Sequence, residues 1–590
     1  MDIKVKIRSG WWLVLLISVA SFAATHGDFR LIEAVRKGDK EAVRSLLVQH
    51  VDVNTPQPDG GTAIAWAVHR DDLETAELLI RAGADVNTAN EYGVTPLWMA
   101  CSNGNAAMIE KLLNAGANPN AAIATGETAL LTAANSGNVD AVKTLLAHGA
   151  NVNAKEPQWG QNALIWAAAE KHPEVVRVLI EHGADVHARS QRGFTPLLFA
   201  AQVGDVESAR LLLAAGSNVN ETVPVQDHVG GRKTASAPKE PDASDSGSPG
   251  SDSPAKGKNQ SVAEIPWGEA DGMSPLLLAT ASGQEALAIF LLENGADPNA
   301  TDGNGITSLH YALRRGISIV GNVQSYTPLG PNPYTAHLVR PAMLQLVKAL
   351  LAHGANPNAQ LPMQLPEPPF TRGTRLGTIG MTPFFLAAAA GDLDAMHILL
   401  AGGANPKLAT KEGVTPLMVA TGRGRYQDFA PGEEKLCLEA AKLVLEVGGE
   451  INGADSKGVT SLHAAAHIGA NAIVQFLVQR GASVNVKDKL GQTPWTLAEG
   501  IISEGATRAE KIDAPHPETA KLLVKLGANV MTAEDLPAAP PPEIEVRAKG
   551  VGLADDAGRY DKGAFFPSVK RKVDNAPAGA AKSGTEKPSE

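Results

Sequence analysis

Histidine and cysteine are the side chains best able to bind a metal or move a proton near neutral pH. The chain has 15 histidines and two cysteines. Their spacing argues against both uses. His50, His148, His182 and His353 recur at the ends of second helices, the last three just before a glycine. No two of these four are closer than 34 residues, so they make no metal cluster. A cation at the end of a helix suits the negative end of its dipole, which is reason enough for them. His310 and His463 close two copies of one phrase, Thr307-Ser308-Leu309-His310 and Thr460-Ser461-Leu462-His463. Asp71-Asp72 reads as turn chemistry rather than as half a metal site. HExxH, the Walker A loop, GxSxG, CxxCH and zinc-spaced cysteine pairs are all missing from the sequence. No catalytic residue, cofactor or metal site is therefore assigned.

The elements that carry these residues repeat. The unit is clearest from Gly93 to Asn120, GVTPLWMACSNGNAAMIEKLLNAGANPN. Thr95-Pro96 opens a first helix, with Thr as N-cap and Pro at the first helical position. Leu97, Ala100 and Cys101 give that helix a buried face, and Asn103-Gly104 ends it. A second helix carries Met108, Ile109, Leu112 and Leu113 on one stripe and stops at Gly116. Two helices of about ten residues are marginal alone in water and need neighbours on both flanks. Those neighbours are present. GVTPL recurs at Gly413 and GFTPL at Gly193, and Asn54, Asn87, Asn120 and Asn153 follow one another at intervals of 33.

This period and the TPLH-type phrase resemble the ankyrin repeat, a turn and two helices in about 33 residues. The resemblance runs from about Asp28 to Val530. It implies an all-α fold, an ankyrin-repeat α-solenoid of about twelve helix-turn-helix repeats with short finger turns. In such an array each repeat contacts only its neighbours, so a 590-residue chain needs no single large core. The resemblance also implies that His310 and His463 bond backbone between adjacent turns. Cys101 lies in the third repeat and Cys437 in the tenth. Seven layers at about 8–10 Å each keep them far beyond disulfide reach, so no intrachain bridge is expected.

Repeats one to six are expected over 28–220 and repeats seven to twelve over 269–531. The first has a polar outer face in Arg30, Glu33, Arg36 and Lys37, as a capping repeat needs. The fifth reads Asn162-Ala163-Leu164 where others read Thr-Pro-Leu, so its N-cap is Asn162. Residues 221–268 include a tract rich in Ser, Pro, Asp, Gly and Lys that reads as a disordered insertion in a finger loop. The apolar helices beyond it predict that the stack continues across the break. Shorter insertions are read at 317–341, 361–377, 425–436 and 501–513. Residues 538–590 read as a disordered tail rich in Pro, Ala and Lys.

The N-terminus reads as an address. Lys4, Lys6 and Arg8 precede an apolar run of fourteen residues from Trp11 to Ala24, with small residues at a plausible cleavage point. This resembles a secretory signal peptide over 1–24, and the run is short for a membrane span. The expected location is therefore secreted or periplasmic, with an exported bacterial-type protein in mind and no stable membrane span once the signal is cleaved. A formal net charge of −11 argues against a mainly electrostatic nucleic-acid binder. The chain is expected to be monomeric.

Binding chemistry is sought on the array's inner side. The residue after the TPLH histidine position is Trp66, Met99, Thr132, Trp166, Phe199, Leu278, Tyr311, Leu386 and Val419 in successive repeats. This stripe has two readings, packing between repeats or an apolar groove for a partner. The family resemblance implies a partner face made of finger tips and the exposed end of the first helix. Tips here include Tyr92, Trp159 and Arg192, with Lys411, Glu412, Lys457 and Lys489. Helix ends include Asn103, Asn135, Glu170, Gln202, Arg314 and Arg315. Rigid aromatics and Arg are the favoured anchors, which singles out Tyr92 and Trp159. Arg314 and Arg315 stand beside an insertion holding Tyr326 and Tyr334. Two functions follow: a non-enzymatic protein–protein scaffold outside the cytoplasm, binding a partner protein on its concave face, or an accessory or assembly factor for an exported enzyme or envelope complex.

Overall fold

A computed structural model describes residues 28–225, 271–313, 326–327, 330–331, 342–363, 376–425, 428–430, 432–501, 515–532 and 535. Over them the chain is an all-α stack of helix pairs. The first pair is Arg30–Lys37 and Lys40–Val48, the third Pro96–Asn103 and Ala106–Asn114, the last Pro494–Glu499 and Pro517–Lys525. The first helix of each pair packs on the first helix of the next, forming an inner row, and the second helices form an outer row. Among the described residues the strands are confined to one hairpin, Tyr326–Thr327 with Gly330–Pro331.

Each inner helix begins where the sequence says it should. Thr95 Oγ1 accepts from Trp98 N at 3.2 Å, and Asn162 Oδ1 accepts from Ile165 N at 3.0 Å. Outer helices are capped the same way, as when Asp72 Oδ1 accepts from Thr75 N at 3.1 Å. Asp71 just before it has φ +58°, which agrees with a turn role for the pair. Their packed faces are alanine and branched aliphatics, so adjacent layers approach closely. Leu97, Ala100, Met108, Ile109 and Leu112 are all buried.

An asparagine ladder ties the layers together. Asn87 Nδ2 donates to Gly116 O at 3.0 Å while its Oδ1 accepts from Asn118 N at 2.7 Å. The same pair of bonds is made by Asn54, Asn120, Asn153, Asn299, Asn358, Asn452 and Asn485 to the repeat that follows. Asn220 makes it across the long insertion, to Gly295 O at 3.1 Å and from Asp297 N at 2.8 Å. Helix Pro196–Val203 likewise packs directly on Pro275–Ser282. The stack is continuous between repeats six and seven.

The tenth repeat differs from the sequence reading in one detail. Part of the segment expected as an insertion over 425–436 is helical, because the outer helix begins at Glu433 and runs to Glu446. Glu433 and Glu434 in its first turn favour that early start. Cys101 and Cys437 are both buried and unbridged. The basic, then apolar, segment read as a signal over 1–24 and the tail over 538–590 lie outside the described residues.

Candidate protein-binding face

The finger turns are joined to one another through backbone. Glu91 N donates to Asp59 O at 3.0 Å, Ala124 N to Tyr92 O at 2.9 Å, Gln191 N to Trp159 O at 2.7 Å and Lys489 N to Lys457 O at 2.9 Å. Each tip is therefore held by its neighbour, and its side chain projects from a fixed backbone. Gly93 shows why glycine recurs there. Its φ is +76°, and a Cβ would meet Ala124 N at 3.1 Å and Ile123 Cα at 3.2 Å. Asn90 Oδ1 closes the same turn by accepting from Tyr92 N and Val94 N at 3.0 and 2.9 Å.

Tyr92 stands out of this turn at 63% exposure, with Glu91 on its hydroxyl. That bond to a carboxylate raises the phenol above its ordinary range. Trp159 is half-buried, and the Arg192 guanidinium from the next finger lies over its ring, 5.4 Å from the centroid. The structure thus brings Trp159 and Arg192 together, with Tyr92 two repeats away, about 20 Å at the usual layer spacing. Asn103, Glu170 and Gln202 sit at the other end of the inner helices. Asn103 is exposed and donates to Val68 O at 2.8 Å; Gln202 O accepts from Gln284 Nε2 at 3.3 Å; Glu170 is exposed at its helix end. Arg314, Arg315 and Tyr334 lie outside the described residues, and of Tyr326 only the backbone is described.

The inner stripe divides. Trp66, Met99 and Thr132 are half-buried, whereas Trp166, Phe199, Leu278, Tyr311, Leu386 and Val419 are all under 7% exposed. From the fifth repeat onward the packing reading holds. Only repeats two to four leave the stripe open. Trp66 is held there on several sides: its Nε1 donates to Gln57 Oε1 at 2.7 Å, His69 meets it edge-on at 5.6 Å, and Arg36 lies over it at 5.8 Å. Arg70 Nη1 donates to Arg36 O at 3.0 Å. Sequence reasoning placed Trp66 in the stripe but missed the Arg36 guanidinium over it and the bond from Arg70 to the Arg36 backbone. The signal was available, since Arg36 and Arg70 close successive inner helices.

The buried polar groups are structural. His310 takes the Thr307 hydroxyl on Nδ1 at 2.8 Å and reaches Met381 O with Nε2 at 3.3 Å. His463 does the same with Thr460 and Gln492 O, at 2.9 and 3.1 Å. Burial pushes both rings down to about 4. Burial also raises the carboxyls of Glu127 and Glu221, the latter bonded by the Thr195 hydroxyl. An ion pair that the sequence did not suggest joins repeats ten and eleven: Arg423 Nη2 to Asp455 Oδ2 at 2.6 Å, with the carboxylate 1% exposed. Among the described residues no three His, Cys, Asp or Glu side chains gather as a metal site requires, and no helix is long and apolar enough to cross a membrane.

Comparison with known proteins agrees with this architecture. Models described as ankyrin repeats match residues 31–123, 130–223 and 276–319, and a single-repeat model matches 379–411 and 457–489; together they take in about half of the chain. The human ankyrin repeat and SOCS box protein 16 is 33% identical over 234 residues, 38% of this chain and 47% of that protein. The probable 26S proteasome regulatory subunit p28 of Saccharomyces cerevisiae is 31% identical over 142 residues, 23% of this chain and 57% of that one. The chain thus spans about half the length of these relatives. The crystal structure of the human ASB11 ankyrin repeat domain is 30% identical, with a TM-score of 0.30, covering 33% of this chain and 86% of that one.

Proposed function

Since the chain belongs to the ankyrin-repeat family, we propose that it is a non-enzymatic scaffold that holds a partner protein on its concave face of fingers and inner helices. The observation that carries this reading is the finger row itself. Backbone bonds fix each tip before any partner arrives, so little ordering is lost on binding. Tyr92 and the Trp159–Arg192 pair then offer rigid aromatic and guanidinium anchors. The assemblies named for the relatives belong to those proteins and do not transfer to this chain on half-length matches. The scaffold works outside the cytoplasm, a reading supported by the basic, then apolar, first 24 residues.

The test is capture of a protein partner by the immobilised full chain, from extracts of the compartment where it resides. Y92A/W159A should weaken capture at least tenfold and leave the melting temperature within a few degrees, because Tyr92 is exposed and the Arg192 stack contributes only about 0.5–1 kcal/mol. A large loss of stability would make these residues core, and turnover of a substrate by the purified chain would overturn the scaffold reading. N-terminal sequencing of the mature protein checks the location: an intact Met1 refutes export by cleavage.

A further inference from the structure

The open part of the inner stripe has its own chemistry. Within the stripe, Trp66 and Met99 are the half-buried apolar side chains of repeats two and three. One rim of this patch is cationic. Arg36 and Arg70 end successive inner helices, both are exposed, and Arg70 donates to the backbone carbonyl of Arg36, so both cations belong to this end of the patch. Glu33, 3.6 Å from Arg36, offsets part of one charge. The opposite rim is acidic, with Asp59 and Glu91 exposed on the adjoined fingers of the same two repeats. Helix Ala63–His69 separates the rims by about 10 Å, the reach of about three residues of extended chain.

We infer that repeats one to three form a peptide-docking sector that takes an extended segment of a partner protein, placing an apolar side chain against Trp66 and Met99 and a carboxylate, about three residues away, on Arg36 and Arg70. This rests on the scaffold reading and narrows it to one place and one kind of partner. Charge complementarity sets the orientation: the carboxylate is drawn to the guanidinium rim and repelled by Asp59 and Glu91 at the fingers. The sector is also where apolar contact remains to be made, because the stripe is closed by packing from Trp166 onward. Arg36 over the Trp66 ring holds the indole face in place before a ligand arrives.

A random heptapeptide display library panned on the full chain tests this. Selected peptides should be enriched in Asp or Glu about three positions from Leu, Phe or Met, and should lose affinity at least tenfold on R36E/R70E and as salt rises. If the charge reversal costs helicity, R36Q/R70Q serves instead, with the same loss expected. Peptides without acidic enrichment, or peptides that bind both variants as well as the parent, overturn the sector. Peptides lost on W159A/R192A but not on R36E/R70E would remove the sector and leave the scaffold standing. A library that yields no binder on any face removes both.

Discussion

His310 and His463 complete bonds that only a neutral imidazole can make. Each Nδ1 faces donors, the backbone N–H and the hydroxyl of its capping threonine, while Nε2–H points at a carbonyl of the following finger. A proton on Nδ1 would break the cap, and burial already holds both rings at about 4. An unfolded histidine titrates near 6.5. Between those values the unfolded chain takes up a proton that the folded chain refuses. Each histidine therefore contributes its stability above pH ~6.5 and loses it progressively down to pH ~4, about 2 kcal/mol of it by pH 5. Glu127 and Glu221 act with the opposite sign: burial raises their carboxyls, so they make the fold gain stability as pH falls toward the ordinary carboxyl range. Urea midpoints at pH 7.5 and pH 5 in the parent and in H310Q/H463Q separate the two. The parent should lose stability on acidification, and the double variant should lose distinctly less. Equal losses would mean that the rings already carry a proton in the fold.

At the scale of the element, the asparagine ladder and the glycines that end each helix say where the array departs from its own rule. His187 stands where the ladder needs Asn, and the two bonds that every flanking junction makes are not made there. H187N should restore them, to Gly216 O and Asn218 N, and raise stability by about 0.5–1 kcal/mol in a thermal or urea melt. His50 at φ +56° and Lys171 at φ +61° sit in left-handed positions that glycine fills in most other repeats. H50G and K171G should each add up to about 1 kcal/mol, because glycine meets no steric penalty there. No gain from either would mean that local contacts of the side chain offset the strain. Such departures could be read from the sequence because they interrupt a period. Thr-Pro at Thr95, the stop at Gly104 and the asparagine at Asn87 fix each helix pair by local chemistry alone, so the fold was legible. The site was legible only in part. Tyr92 and Trp159 could be placed on tips by position, but whether Trp66 is open and Phe199 closed depends on how neighbouring layers press together, and no local pattern carries that. The Arg423–Asp455 pair was illegible for the same reason: its partners lie 32 residues apart on different repeats.

Across the whole array the apolar interior is not one body. A first cluster of buried side chains runs from Leu31 to Val444, and a second holds Cys437, Leu462, Ile473, Val474, Leu477 and Leu523. The seam passes through helix Glu433–Glu446, whose Ala440 and Ala441 belong to the first cluster and whose Cys437 belongs to the second. Lys407 replaces the ladder asparagine one junction earlier. Phe476 packs against both clusters, and polar bonds fasten the seam beside it: Arg423 to Asp455, and Glu434 Oε1 accepting from Ala472 N at 2.8 Å. In a stacked array, stability is a sum of repeat terms and junction terms, and the weakest junction sets where unfolding separates into steps. The eleventh and twelfth repeats should therefore open before the rest. L477A, which empties a fully buried site at a cost of about 2–5 kcal/mol, should lower an early urea transition and leave the later one in place. R423Q should lower the same early transition, because it leaves the Asp455 carboxylate buried without its cation. Hydrogen exchange read by mass spectrometry locates the step: protection should fall over 461–528 in both variants and hold over 30–401. One transition that moves as a whole, with protection lost evenly along the chain, would show that the polar fasteners couple the two interiors as tightly as a shared apolar core.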